Sequence, residues 1–196
     1  MKLGIFGGTF DPPHIGHLIV ADDAMAALGL DRILFVPAGT HPLKGDKVAA
    51  PTHLRLRMIR AAVGDERRFS VDDREIRRVG PSYTVDTLAE LDEEYPGSEL
   101  YLLVGSDIMN EIHRWHRVPE IAARARIAVM SRADAPKVAA SAAGLQAIRV
   151  DVTHVAISSS EIRERVTAGR PFRYLVPEGV YEIIAEHALY LRQRSD

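Results

Sequence analysis

A glycine turn followed by two histidines, GGTFDPPHIGH at residues 7–17, is the segment of this sequence best suited to chemistry. It follows a short apolar run and precedes a segment of helical periodicity, which predicts a turn between a strand and a helix. Small residues in such a turn let backbone N–H groups approach an anion, and the helix start adds partial positive charge. His14 and His17 are spaced so that both side chains can face one phosphate. Residues 7–17, the phosphate loop, therefore predict an anion site whose shape Phe10, Asp11 and two prolines fix.

Three serines and an arginine form a second candidate anion site in ISSSEIR at residues 157–163, the Ser-Arg segment. Ser158 and Glu161 have the spacing of a capping box, which alone would explain these two residues as the start of a helix. The remaining hydroxyls, the helix-start amides and Arg163 favour an anion site as well. Two anion sites at one edge suit a triphosphate that is held at both ends.

Four further positions could bind a ligand, although each also has an ordinary structural explanation. Asp107, in Gly-Ser-Asp after an apolar run, can accept hydrogen bonds from a ribose, but this tripeptide is also a common turn. Residues 82–87 open a helix whose amides could bind a carboxylate, or simply carry an N-cap. Trp115 lies among polar residues and favours a stacking platform for a flat ring over a core position. A loop lysine such as Lys44 is ordinarily just solvated, but its position after a strand is compatible with a phosphate or carboxylate contact.

The composition favours one globular domain over residues 1–196, without a nucleic-acid or membrane partner. The chain has 196 residues, a formal net charge of −2 and no cysteine. This length is enough to bury a sizeable core, and the charge indicates no surface for nucleic acid. No apolar run is long enough to span a bilayer and no leader precedes the first motif, so we expect a cytoplasmic protein. A homo-oligomer is left open.

Apolar runs that alternate with helical patterns predict an α/β fold. The runs of strand type are 3–6, 33–36, 100–104, 127–130 and 147–150. The helical patterns cover 15–28, 52–63, 84–94, 118–123, 159–168 and 178–191. This alternation predicts a Rossmann-like, doubly wound parallel sheet with helices on both faces, and a small helical C-terminal part over about 152–196. Because ligands bind at the carboxyl ends of such strands, we expect the phosphate loop and the Ser-Arg segment to meet there.

Taken together, these segments resemble one family of enzymes. The segments GGTFDPPHIGH, PSYTVDTL at 81–88, GSD at 105–107, Trp115 and ISSSEIR occur in the order typical of bacterial nicotinate-nucleotide adenylyltransferases. The first and the last of them are typical of the wider nucleotidylyltransferase superfamily. The SYTxDTL pattern is the one that points to this member.

The resemblance implies that the adenylyl group of ATP is transferred to nicotinate mononucleotide, which gives deamido-NAD and pyrophosphate. It implies direct attack on the α-phosphate, with Mg²⁺ carried on ATP and no metal ligand from protein side chains. His14 and His17 would be catalytic and would donate hydrogen bonds as charge builds at the α-phosphorus. The residues implied to bind ATP are Gly7, Gly8, Thr9, Phe10, Gly105, Asp107, Ser158, Ser160 and Arg163. Those implied to bind nicotinate mononucleotide are Asp11, Lys44, Tyr83, Thr84, Trp115 and Arg132.

One loop departs from the family's pattern, and two other functions compete. The loop before Lys44 usually carries Pro-Pro-His, whereas here it reads His-Pro-Leu at 41–43. Phosphopantetheine adenylyltransferase would share the first loop and the serine-rich helix start, but it gives no reason for residues 82–88 or Trp115. A non-catalytic nucleotide-binding module would need neither both histidines nor a complete pocket for a second substrate.

Overall fold

A parallel sheet of six strands forms the centre of the part of the chain that the structure describes. The structure is a computed structural model that describes residues 1–40, 48–106, 112–132 and 146–191. The strands are β1 (Lys2–Gly8), β2 (Arg32–Pro37), β3 (Phe69–Val71), β4 (Glu99–Gly105), β5 (Ala125–Arg132) and β6 (Ala147–Val152). Their order, β3-β2-β1-β4-β5-β6, is that of a doubly wound sheet and confirms the predicted fold class. The sequence prediction missed β3, because three residues are too short a run to display a period.

Helices connect the strands and follow the predicted patterns closely. They are α1 (Ile15–Leu28), α2 (Thr52–Val63), α3 (Arg74–Arg77), α4 (Thr84–Glu94), α5 (Val118–Arg124), α6 (Ser159–Thr167) and α7 (Glu178–Glu186), with 3₁₀ turns at Ile112–Arg114 and Arg173–Leu175. The prediction that the last helix continues to Leu191 is wrong. The helix ends at Glu186, because Ala188 and Tyr190 take left-handed backbone conformations with φ of 49° and 64°. A right-handed helix cannot pass through such residues.

All strands except the short edge strand β3 contribute to two cores, one on each face of the sheet. In β2, Ile33 and Phe35 enter a core that includes α1, α2, α6 and α7. Leu34 and Val36 point the other way, into a core with α4 and α5. This period of two is why the strands read as continuous apolar runs, since both faces are covered. Helices therefore lie on both faces, as predicted.

The chain changes direction across the sheet between β1 and β4, which are neighbours. Strands β2 and β3 lie on one side of β1, whereas β4, β5 and β6 lie on the other. Connections leave the two central strands on opposite sides, so a crevice opens at their carboxyl ends. Gly8 ends β1 and Gly105 ends β4, which places the phosphate loop at this crevice.

Candidate active site

The two glycines of the phosphate loop have different surroundings. A Cβ atom on Gly8 would lie 2.9 Å from Cζ of Phe10, so the glycine makes room for that ring. Phe10 is only 2% exposed, has a φ of 49° and packs edge-on against Phe6. A Cβ atom on Gly7 would meet nothing within 4 Å. Gly8 and Phe10 therefore shape the loop, while Gly7 offers open backbone to a ligand. A contact of Phe10 with ATP stays a prediction.

The two predicted catalytic histidines stack on each other at the start of α1. Their ring centroids lie 3.7 Å apart, and the backbone N–H of His14 donates to Nδ1 of His17 at 3.1 Å. A nitrogen that accepts a hydrogen bond carries no proton, so Nε2 of His17 is the protonated nitrogen and a donor. The helix start thus fixes the tautomer that could donate to a phosphate oxygen.

His14 is held uncharged at neutral pH by burial. Its side chain is buried, and its Nδ1 atom has no hydrogen-bond partner among the described residues. This desolvation lowers the pKa of His14 to about 4. Gly16 lies against the same ring, since a Cβ on it would be 3.0 Å from Nδ1 of His14. The ring is therefore packed closely against the start of α1.

Asp11 holds the phosphate loop in place through its side-chain carboxylate. Its carboxylate is buried and accepts hydrogen bonds from the backbone N–H groups of Ala49 and Ala50, at 2.8 and 3.1 Å. The hydroxyl of Tyr190 donates to the same carboxylate at 2.8 Å. These contacts agree with the expectation that Asp11 fixes the shape of the loop. Its predicted contact with nicotinate mononucleotide stays a prediction, because Asp11 does not line the cavity described below.

A buried arginine that the sequence interpretation missed joins the ends of β1 and β2. Arg55 of α2 is 1% exposed, and its guanidinium donates to the backbone carbonyls of Thr9 and Ala38, each at 2.8 Å. A signal for it existed, since Arg55 occupies a position of the apolar stripe that continues at Met58 and Ile59. A charged residue on such a stripe needs polar partners inside the protein.

The Ser-Arg segment lies directly on the phosphate loop. The hydroxyl of Ser159 donates to the carbonyl of Pro12 at 2.8 Å, and Arg163 donates to the carbonyl of Asp11 at 2.7 Å. Arg163 also donates to the hydroxyl oxygen of Ser160 at 3.1 Å. Ser158 caps α6 by accepting from the Glu161 amide, so the capping interpretation holds for this serine. The two predicted anion segments therefore meet, as expected.

The crevice contains a cavity of about 750 Å³, within the size range of small-molecule sites. Its walls combine the end of β1 and the phosphate loop with the start of α4 and the turn around Trp115. Residues that line it include Gly7, Gly8, Thr9, Gly105, Tyr83, Thr84, Trp115 and His116. His14 and His17 do not line this cavity, and Ser160 and Arg163 line a separate depression of about 680 Å³. Of the predicted ATP contacts, Gly7, Gly8, Thr9 and Gly105 thus line the cavity and Ser160 and Arg163 the depression, whereas Phe10 and Ser158 line neither.

One wall of the cavity combines rings with a helix start. Trp115 is half-buried, and the ring of Tyr83 packs on that of His116 with centroids 4.5 Å apart. The amide of Tyr83 donates to the carbonyl of Pro81 at 3.2 Å, whereas the amide of Thr84 has no such partner among the described residues. Of the two amides predicted to bind a carboxylate, only that of Thr84 is open to a ligand.

A buried carboxyl group, also missed from the sequence, lies in the cavity wall beneath this helix start. Glu75 is 8% exposed, and its side chain accepts a hydrogen bond from the hydroxyl of Thr87 at 2.7 Å. Burial raises the pKa of Glu75 above its ordinary value. Nearby, the hydroxyl oxygen of Ser82 accepts from the Gly39 amide at 3.0 Å and joins the loop after β2 to α4.

Of three further predicted contacts, the structure describes the backbone position of only one, Arg132. Lys44 and Asp107 lie outside the described residues. Arg132 ends β5, on the same edge of the sheet as the phosphate loop. Within the described ranges, no group of three or more His, Asp or Glu residues could hold a metal ion. None of the helices in those ranges is both long and apolar enough to cross a membrane.

The doubly wound sheet with a glycine turn at its switch point is typical of nucleotide-binding α/β proteins, and the match to a family model identifies the class. The family model described as cytidylyltransferase-like matches residues 5–165. Nicotinic acid mononucleotide adenylyltransferase of Plasmodium falciparum, complexed with NaAD, shares the fold with a TM-score of 0.80 at 20% identity, over 96% of this chain and 97% of that chain. Its complex with APC gives 0.76 at 19% identity, over 96% of each chain.

Closer relatives define the family within that class. A protein of Roseiflexus sp. that carries the name nicotinate-nucleotide adenylyltransferase is 44% identical over 195 residues, which cover 96% of this chain and 97% of the relative. A protein of Gemmatimonas aurantiaca with the same name is 42% identical over 196 residues, which cover 97% of this chain and 92% of the relative. The chain belongs to the nicotinate-nucleotide adenylyltransferase family.

Proposed function

We propose that this chain transfers the adenylyl group of ATP to nicotinate mononucleotide in NAD biosynthesis. A phosphate oxygen of the mononucleotide attacks the α-phosphorus of ATP, the bond between the α-phosphorus and its bridging oxygen breaks, and pyrophosphate leaves with that oxygen. The products are deamido-NAD and pyrophosphate. The observation that carries the proposal is that one cavity joins Gly7, Gly8 and Thr9 to Thr84 and Trp115. A phosphate site and a site for a flat, acidic ring thus share one crevice.

The histidines act on ATP as hydrogen-bond donors. Nε2 of His17 donates to a phosphate oxygen as negative charge builds there, and His14 assists from its stacked position. Such donors accelerate a reaction when they are fixed before the charge develops. The stacking of the two rings and the hydrogen bond from the His14 amide to His17 supply that preorganisation. Ser160 and Arg163 hold the departing pyrophosphate, next to the loop that they contact.

The acceptor binds at the start of α4. The amide of Thr84 donates to the nicotinate carboxylate, and Trp115 stacks on the pyridine ring. A charge at a helix N-terminus is favoured by roughly 0.3–1 kcal/mol, and by up to about 2 kcal/mol when partly buried. That effect gives only modest discrimination against the nicotinamide form, so desolvated hydrogen bonds must supply the rest. Asp107 is assigned to a ribose, and Lys44 and Arg132 to the mononucleotide.

A divalent metal, Mg²⁺, travels with the triphosphate. Bridging phosphate oxygens with such an ion neutralises charge that develops during phosphoryl transfer. The phosphate oxygens would be the ligands of the metal ion, and the amides of the phosphate loop would position the phosphates.

We also infer that the chain forms one domain, because α6 and α7 pack into the same core as the sheet. We place the reaction in the cytoplasm.

An acceptor panel tests this function. Purified protein with ATP and Mg²⁺ is given nicotinate mononucleotide, nicotinamide mononucleotide or phosphopantetheine, and pyrophosphate release is followed. We expect the highest kcat/KM with nicotinate mononucleotide. Turnover with phosphopantetheine alone would show that phosphopantetheine, and not nicotinate mononucleotide, is the acceptor. Binding of ATP without turnover on any of the three acceptors would favour a non-catalytic nucleotide-binding module.

A further inference from the structure

The last described residues return to the phosphate loop. After α7 the chain turns through the left-handed residues Ala188 and Tyr190. The hydroxyl of Tyr190 then donates to Oδ1 of Asp11 at 2.8 Å, across a separation of 179 residues. The backbone carbonyl of Tyr190 also forms a hydrogen bond, because it accepts from the hydroxyl of Thr167 at 2.8 Å.

Tyr190 completes the set of donors around one buried carboxylate. The other two donors are the amides of Ala49 and Ala50, which lead into α2. The carbonyl of Asp11 itself accepts from Arg163. The carboxylate therefore ties together the phosphate loop, the segment before α2 and the end of the chain. Burial raises the pKa of Tyr190 above its ordinary value, which keeps its hydroxyl protonated as a donor.

We propose that Tyr190 is a positioning residue for adenylyl transfer, acting through Asp11 on the phosphate loop and Arg163. The inference rests on the proposed function, because it concerns the same phosphate site. Tyr190 does not line the cavity. Its effect is instead geometric: without its hydroxyl, the Asp11 carboxylate lacks one of three donors and the loop loses a fixed point.

Small displacements of such a loop have large effects on rate. A misplacement of about 1 Å can lower a rate by about 10²-fold, because the reacting atoms no longer meet in line. The loss of a single anchoring hydrogen bond need not produce the full displacement. We therefore expect the Tyr190→Phe variant, which keeps the ring, to lose about tenfold in kcat.

The test compares Tyr190→Phe with Tyr181→Phe. Tyr181 is also half-buried and lies in α7, where its ring packs on Phe172; unlike Tyr190, its hydroxyl makes no hydrogen bond to Asp11. For Tyr190→Phe we expect a kcat about tenfold lower than that of the wild type, and a Kd for a non-hydrolysable ATP analogue that is at least about fivefold higher. KM for nicotinate mononucleotide should change by less than twofold. Tyr181→Phe should leave all three values within twofold of the wild type.

A double-mutant cycle separates positioning from general stability. Asp11→Ala removes the oxygen that accepts from the hydroxyl of Tyr190. If Tyr190 acts through Asp11, adding Tyr190→Phe to Asp11→Ala should lower kcat by less than about twofold more, at a temperature where circular dichroism reports folded protein. Should Asp11→Ala fail to fold, the single-variant comparison still decides.

Two results would overturn the inference: a Tyr190→Phe variant with wild-type kcat and analogue affinity, or equal losses in both tyrosine variants. The failure of the proposed function looks different. It leaves the wild type without deamido-NAD formation, while the difference in analogue affinity between the two variants remains measurable.

Discussion

The burial of His14 predicts a pH dependence of stability that can be assigned to this side chain. Its pKa is lowered from 6.5 to about 4 in the folded protein, because the ring is desolvated. The unfolded chain therefore binds a proton at a higher pH than the folded chain does. Its contribution to stability is fully present above pH 6.5, and it is lost as the pH falls from about 6.5 towards 4.

The size of the effect follows from the two pKa values. One unit of pKa difference corresponds to about 1.4 kcal/mol, so a group of this kind changes the free energy of unfolding by about 3 kcal/mol over the full range. Between pH 7 and pH 5 the linkage relation gives a loss of about 2 kcal/mol. Other groups also titrate in this range, so the prediction concerns the difference between variants.

Urea unfolding of the wild type, His14→Gln and His154→Gln at pH 7 and pH 5 measures this difference. We expect His14→Gln to lose about 2 kcal/mol less than the wild type between these pH values, since its side chain does not titrate. His154 is exposed, so its variant controls for the removal of any histidine. If all three proteins lose the same free energy of unfolding between pH 7 and pH 5, His14 is not held neutral by burial.

The remaining predictions concern the loop and the acceptor pocket. His17→Ala should lower kcat by at least about two orders of magnitude, the loss expected for one transition-state donor, and a near wild-type kcat in steady-state assays would refute that role. Gly7→Ala should keep the wild-type melting temperature but raise KM for ATP, because its Cβ meets only the cavity, whereas Gly8→Ala should also lower the melting temperature, because its Cβ meets Phe10. An unchanged KM in Gly7→Ala would remove Gly7 from the ATP site. Trp115→Ala should raise KM for nicotinate mononucleotide far more than KM for ATP, and equal effects would remove Trp115 from the acceptor pocket.

The prediction of the fold rested on the periodicity of apolar residues. It was wrong where an element is too short to display a period, or where an apolar residue beyond the end of a helix continues the pattern. The helices at 15–28, 52–63 and 84–94 were predicted to the residue. Apolar positions recur on one face of the second and the third, whereas the first is apolar on most of its faces. The last helix was predicted too long, since Leu191 continues the apolar spacing of Val180, Ile183 and Ile184. Leu191 is instead exposed, and Leu189 and Tyr190 before it pack against the core.

Residue types and spacing identified groups that could bind phosphate, but not the groups that hold them. The contact between the Ser-Arg segment and the phosphate loop followed from strand ends that meet at one edge. The contacts of Arg55 and Tyr190 did not follow, because their acceptors are carbonyls or a carboxylate distant in the chain. Such partners become neighbours only through tertiary packing, which no local pattern records.

The most direct test of the account follows the α-phosphate of ATP to its product. The protein is incubated with ATP labelled at the α-phosphorus, Mg²⁺ and nicotinate mononucleotide, and the labelled products are separated and weighed by mass spectrometry. We expect label in deamido-NAD, with formation that depends on the mononucleotide and falls at least about 100-fold in His17→Ala. Label recovered only in AMP, or equal product formation by His17→Ala, would contradict it.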